Sequence, residues 1–313
     1  MKARPQPPPR KSGHIRAKYL SCLEWPLCET DARGTPGRIM KTSLCLLSTV
    51  FICMAATLPA QVKQRDPLAD ATEIIIVTTA GWDSPQGTMR RYERNHPLGK
   101  WKAAGGPIAV TVGKNGLGWG SGVLRLDAFQ REAGDPDKKE GDGKAPAGIF
   151  RLSKAFGYAA QPQSGWKLPY LSLTPAVECV DDTGSNFYNR VVDRGTVSPD
   201  WNSSEKMLRS DELYRWGILV DHNTDPVVAG GGSCIFMHIW RGPGQPTVGC
   251  TAMPQAEVES LLAWLDQSRK PLLVQLPFGQ YESFRRIWHL PAFENAGDRK
   301  RSETGHGSES VGR

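Results

Sequence analysis

Cys250 stands in the run Thr247-Val248-Gly249-Cys250-Thr251-Ala252-Met253, and His238 lies 12 residues before it. A thiol becomes a strong nucleophile when an imidazole takes its proton or stabilises its thiolate. The glycine ahead of the cysteine allows a tight turn and a close approach by substrate. Backbone N–H groups at Gly249 and Thr251 are candidate donors to an oxyanion. His238 lies in Cys234-Ile235-Phe236-Met237-His238-Ile239-Trp240, whose apolar character predicts a buried strand. Arg241-Gly242-Pro243-Gly244-Gln245-Pro246 then predicts a loop. Strand, loop and Gly-Cys turn form a short route by which base and nucleophile can meet.

A second histidine competes for the role of base. His222 follows the apolar run Gly217-Ile218-Leu219-Val220 and precedes Asn223. It is read either as the base or as a group that orients one. Trp240 and Tyr188 are read as cleft walls or as core packing. Asp181, Asp182 and Asp221 are turn formers or ion-pair partners, and nothing singles out one of them as a triad acid. Paired short spacings of Cys and His, as in zinc ligands, are missing, so no metal is expected.

The elements that must position these residues are short strands. Residues 72–79 are apolar and β-branched, and 87–94 alternate as an exposed neighbour would. Residues 101–104 and 108–112 continue a meander, punctuated by Asn115-Gly116 and Gly118-Trp119-Gly120. Residues 129–144 are charged and glycine-rich and predict an exposed loop. Two helices are expected, a short one over 204–209 and a clearer one over 254–268, where Val258, Leu261, Leu262 and Leu265 recur at helical spacing. The second directly follows Cys250, so its dipole is expected to aid the thiolate modestly. A strand over 271–276 closes the domain. The fold class is mainly β (α+β), with mixed sheets and a few short helices.

Upstream of the Cys–His pair, Glu140-Gly141-Asp142-Gly143-Lys144-Ala145-Pro146-Ala147-Gly148-Ile149-Phe150 is similar to a G-D-x-x-T-P-x-G-x-F signature. Cys179-Val180-Asp181-Asp182-Thr183, Phe187-Tyr188-Asn189 and Gly217 to Asn223 fill the interval in a matching order. Taken with His238 and Thr-Val-Gly-Cys, the chain from about 73 to 278 resembles the YkuD-type L,D-transpeptidase catalytic domain. The resemblance implies a β-sandwich in which Cys250 is the nucleophile and His238 the base. Two positions depart from the pattern of many members: Val248 stands where they carry His, and Ala252 where they carry a substrate-binding Arg. Arg241 is read as a replacement for that arginine or as a solvated loop residue, its planar fork suiting a carboxylate.

The ends of the chain read differently. Residues 1–39 are rich in Pro, Arg and Gly and are expected to be an upstream extension ahead of a true start at Met40. Met40-Lys41, the apolar run 44–56 and Thr57-Leu58-Pro59-Ala60 have the layout of a secretory signal peptide over 40–60. The apolar run is short for a membrane span. The catalytic domain is then expected over 61–290, with a disordered tail over 291–313. Of 39 Lys and Arg, 9 lie in residues 1–60, and of 32 Asp and Glu, 3 do, so the remainder is close to neutral. It shows no basic stripe for nucleic acid. Three cysteines follow the leader: Cys179, Cys234 and Cys250. Either Cys179 and Cys234 pair and leave Cys250 free, or both are buried free thiols.

The resemblance, taken with the leader-like segment, implies an exported cysteine L,D-transpeptidase in the periplasm or cell envelope. It acts on peptidoglycan stem peptides through a thioester and needs no cofactor. Carbapenems, which resemble the acyl donor, are implied as covalent ligands. Water in place of the amine acceptor would make the same site an L,D-carboxypeptidase. A cell-wall binding protein on the same fold is the non-catalytic alternative. An NlpC-type endopeptidase fits less well, because there the Cys precedes the His.

Overall fold

The computed structural model describes residues 66–124 and 131–293. Its strands, in chain order, are β1 (Glu73–Thr79), β2 (Gln86–Glu93), β3 (Lys102–Ala103), β4 (Ile108–Thr111), β5 (Leu117–Trp119), β6 (Ala145–Gly157) and β7 (Tyr170–Ser172). They continue with β8 (Val177–Val180), β9 (Val191–Asp193), β10 (Ser204–Lys206), β11 (Trp216–Val220), β12 (Phe236–Ile239), β13 (Thr251–Met253) and β14 (Leu272–Pro277). Among the described residues two α-helices accompany them, α1 (Gln255–Trp264) and α2 (Phe278–Arg285). The protein is mainly β, as its short alternating runs predict.

The large sheet runs β1-β14-β6-β11-β12-β13-β4-β2-β3, and β2 also pairs with β1. That last pairing closes the sheet on itself, which hides edges that would otherwise template aggregation. The sheet is mixed: β1–β14 and β12–β13 are parallel, while β6–β11 and β11–β12 are antiparallel. Every residue of β1 is buried, as its unbroken apolar run requires of a strand covered on both faces. Helix α1 lays Val258, Leu261 and Leu262 on the core. Among the described residues no helix is long and apolar enough to cross a membrane.

A second sheet, β10-β8-β9, stands beside the first. It packs Val177 and Cys179 into a smaller hydrophobic core and is tied together by Glu178, whose buried carboxylate accepts from Arg194 at 2.9 Å, Trp201 Nε1 at 3.0 Å, Ser204 Oγ at 2.5 Å and Lys206 Nζ. The helix expected over 204–209 is here strand β10, with Ser204, Glu205 and Lys206 paired to Val180, Cys179 and Glu178. Six residues cannot repay helix nucleation by themselves, whereas the ladder and the Glu178 cluster reward the extended form.

Other expectations shift in detail. The helix expected over 254–268 is α1 followed by a 3₁₀ turn, Gln267–Arg269. Helix α2 was not anticipated; it buries Tyr281 and Phe284 at i, i+3 spacing. Residues 291–293, placed in the tail from sequence, are packed, since Phe293 is buried against Tyr281 and lies under the Arg90 guanidinium. The extension 1–39, the signal segment 40–60 and the rest of the tail lie outside the described residues.

Candidate active site

Period-2 alternation along β12 sorts its residues. Ile235, Met237 and Ile239 enter the main core, while Cys234 and Phe236 join a smaller core with Phe156, Tyr214, Cys179 and Cys250. His238 shares the face of Cys234 and Phe236. Strand β13 runs parallel to β12 with His238 opposite Ala252. Cys250 precedes Ala252 by two residues and shares its face. Nucleophile and imidazole are therefore diagonal neighbours on one side of two adjacent strands, and both line a cleft of about 430 Å³. Trp240, Arg241, Val248 and Gly249 line it too.

Cys250 is 5 % exposed, and its sulfur has two backbone partners. The Phe236 N–H donates to it at 3.3 Å, and the thiol donates to the Cys234 carbonyl at 3.6 Å. His238 Nδ1 lies 2.8 Å from the Ile239 carbonyl. A carbonyl only accepts, so Nδ1 carries the proton and Nε2 keeps its lone pair. Burial pushes the thiol up to about 12, and nearby Glu205 adds to this. Burial pulls the His238 imidazole down to about 4. The resting pair is thus thiol and neutral imidazole, not thiolate and imidazolium.

The turn before the nucleophile is tied by Thr247. Its hydroxyl accepts the Gly249 N–H at 3.1 Å and donates to the Cys250 carbonyl at 2.6 Å. This occupies the Gly249 N–H that sequence reasoning offered to an oxyanion. Thr251 likewise belongs to the β12–β13 ladder, and its hydroxyl points away to Gln275 Oε1 at 2.7 Å. The N–H of Cys250 is the remaining donor of this turn. Gly249 does not have the positive φ that marks a tight glycine turn. Its need is space: a Cβ there would lie 3.3 Å from the Lys144 carbonyl. Nor does α1 begin at the nucleophile. The whole of β13 and Pro254 intervene, on the order of 10 Å of extended chain, and the helix field fades within its first turn.

His222 is not brought to the cleft. Its Nε2 lies 3.0 Å from the Gly231 carbonyl, and its ring packs edge-on to Phe150. Its Nδ1 has no partner among the described residues. Tyr188 is also elsewhere, its hydroxyl donating to Glu140 Oε2 at 2.5 Å. Asp182 caps a turn through the Gly184 and Asn202 N–H groups, and Asp221 accepts from Ser153 at 2.6 Å. Asp181 alone of the three lines the cleft.

Sequence reasoning missed the wall opposite the nucleophile. Tyr214 sits with its ring 5.1 Å from that of His238, and its hydroxyl donates to Glu205 Oε1 at 2.5 Å. Arg209 lies over the Tyr214 ring and forms a two-bond pair with Asp211 at 2.8 Å each. Lys138, expected on an exposed loop, is buried and pairs with Asp142 at 2.7 Å. Arg241 stands exposed at the rim, near enough to His238 to oppose its protonation. Among the described residues no three His, Cys, Asp or Glu side chains gather as metal ligands.

Two buried histidines make an acid limit on stability. His222 and His238 each titrate at about 4 in the fold, pulled down by burial, against about 6.5 when unfolded. The unfolded chain therefore binds more protons below neutrality. The histidines' contribution is complete above about pH 6.5 and is lost as pH falls towards 4, by about 3 kcal/mol per histidine; Glu73, which burial raises to about 7, acts in the opposite sense over the same window. In urea titrations from pH 7 to 4, His222→Gln should gain about 3 kcal/mol relative to the native protein, because it lacks one of the two histidine contributions. A stability difference between the two proteins that does not change with pH would remove the basis for it.

The profile of the YkuD family, described as the L,D-transpeptidase catalytic domain, matches residues 75–274, and the chain belongs to that family. Members of the family are cysteine L,D-transpeptidases. Neither a curated protein nor a solved structure matches the chain.

Proposed function

We propose that the protein is an exported L,D-transpeptidase that acts on peptidoglycan stem peptides through a thioester at Cys250. The observation that carries this reading is the placement of Cys250 beside His238 in one cleft, with Nδ1 of the imidazole tied to the Ile239 carbonyl and Nε2 left as a base. As Sγ attacks the carbonyl carbon of the third residue of the stem, Nε2 takes the thiol proton. The Cys250 N–H donates to the oxyanion, and the Phe236 N–H steadies the sulfur. Collapse expels the terminal D-residue, whose amine receives the proton from His238. The thioester that remains is attacked by an amine of a second stem, which gives up its proton to Nε2. The sulfur leaves and is reprotonated.

Arg241, exposed at the rim with Trp240, is assigned to the substrate carboxylate, in place of the arginine that Ala252 lacks. Export is supported by the leader-like residues 40–60 and by the Cys179–Cys234 disulfide, a bond that persists in oxidising compartments. Incubation with purified tetrapeptide muropeptides, followed by mass spectrometry, tests the reading. The expected product is a cross-linked dimer lacking one terminal D-residue. Tripeptide alone would make water the acceptor, and unchanged substrate would count against the activity.

A further inference from the structure

The sulfur of Cys250 is bracketed by a segment that a second pair of cysteines holds in place. Cys179, in β8, is bonded to Cys234, which lies just before β12. Cys234 has φ +56°, a left-handed conformation that a residue with a Cβ rarely adopts. Its N–H donates to Asn189 Oδ1 at 3.0 Å. Asn189 is itself anchored, its Nδ2 donating to the His222 and Asn223 carbonyls at 2.8 Å each. In this conformation the Cys234 carbonyl receives the Cys250 thiol proton at 3.6 Å, while the Phe236 N–H reaches the same sulfur at 3.3 Å. The carbonyl only accepts and so favours the thiol. The amide only donates and so also serves the thiolate. The disulfide, with a sequence separation of 55, also joins this segment to the small sheet. That sheet carries Glu205 on β10, and Asp181 directly follows β8, both on the cleft.

We propose that the Cys179–Cys234 disulfide is a positioning element of the catalytic site. It keeps the Cys234 carbonyl against the Cys250 thiol and holds the β8–β10 wall beside it. The proposal rests on Cys250 being the nucleophile, and adds that its reactivity depends on a second, non-reacting cysteine pair. Without the cross-link Cys234 relaxes towards negative φ and its carbonyl turns from the sulfur. The thiol then loses an acceptor and gains water, so it becomes more acidic, yet it stands less well placed for His238.

The test is peptide-resolved alkylation of Cys250 by iodoacetamide against pH, in the full chain and in Cys179→Ala/Cys234→Ala. The acylation rate with a carbapenem is measured alongside. In the double variant the titration of Cys250 should fall by about one pH unit or more while acylation slows at least roughly tenfold. These opposite movements are not the mark of a bond that only stabilises. A Cys179→Ala/Cys234→Gly variant should recover part of both, because glycine takes a positive φ freely. If the Ala variant melts earlier but keeps the native titration and acylation rate, the proposal is overturned. Should the variants fail to fold, partial reduction of the native protein by a phosphine gives the same comparison, and an unchanged titration there overturns it equally. Alkylation needs no stem peptide, so the titration answers even if the protein proves not to be a transpeptidase.

Discussion

Cys250→Ala abolishes covalent addition of a carbapenem, and Cys250→Ser reduces it almost as far. The sulfur is the one group in the cleft that combines a nucleophilic atom, a neighbouring base and a backbone donor aimed at it. A serine hydroxyl in the same place has a much higher pKa than a thiol and is a poorer nucleophile, so it cannot substitute. Intact-mass measurement after incubation reads the result directly. The native protein should gain one carbapenem mass on the peptide that carries Cys250. An adduct of equal size in Cys250→Ala would place the nucleophile elsewhere. Circular dichroism should be unchanged, because the side chain removed is small and its two partners are backbone groups in a paired segment.

His238→Ala slows acylation by roughly 10²–10⁴-fold at neutral pH, the usual share of general acid–base catalysis. The environment explains why the loss is so large. Burial holds the Cys250 thiol at about 12, so thiolate is scarce at neutral pH and a base must take the proton during attack. The same burial holds His238 at about 4, so it is neutral and competent to accept a proton well below pH 7. In the native protein the acid limb of the acylation rate should therefore lie near pH 4 rather than near 6.5. In His238→Ala the rate should climb with each pH unit as hydroxide supplies the missing deprotonation. His222→Ala, whose ring lies outside the cleft, should leave the titration of Cys250 in place. If His222→Ala shifts that titration and His238→Ala does not, the two histidines must exchange roles.

The parts of this site that were legible in the sequence are those set by local pattern. Residues 234–240 read as a buried strand, whose alternation places His238 on the opposite face from Met237 and Ile239, and Cys250 stands two positions before Ala252, the residue that the ladder sets opposite His238. The first follows from the period of a strand, whereas strand β13 itself was not read from the sequence. What was not legible depends on distant packing. Residues 204–209 have helix-forming side chains, yet the buried Glu178 and the ladder to β8 draw them into a strand. Glu205 becomes a cleft residue through that small sheet, and Tyr214 through the short turn Glu212–Tyr214 that sets its ring against His238. Gly249 reads as a flexible turn, but what it avoids is the carbonyl of Lys144, about a hundred residues away in the chain. The helix after Cys250 suggests a dipole at the thiol, and only the intervening strand β13 shows that it starts too late. Lys138 reads as solvated because its loop is charged, although Asp142 and tertiary contacts bury it.

The central claim is that Cys250 carries the acyl group of a stem peptide while the terminal D-residue leaves. The most direct test is a rapid-quench incubation with a stem tetrapeptide, with proteolysis in acid and mass spectrometry of the Cys250 peptide. Its prediction is a thioester-linked tripeptide on Cys250, formed at the rate at which the D-residue is released. Release of the D-residue at the same rate from Cys250→Ala, or an acyl group on any other side chain, would contradict the account.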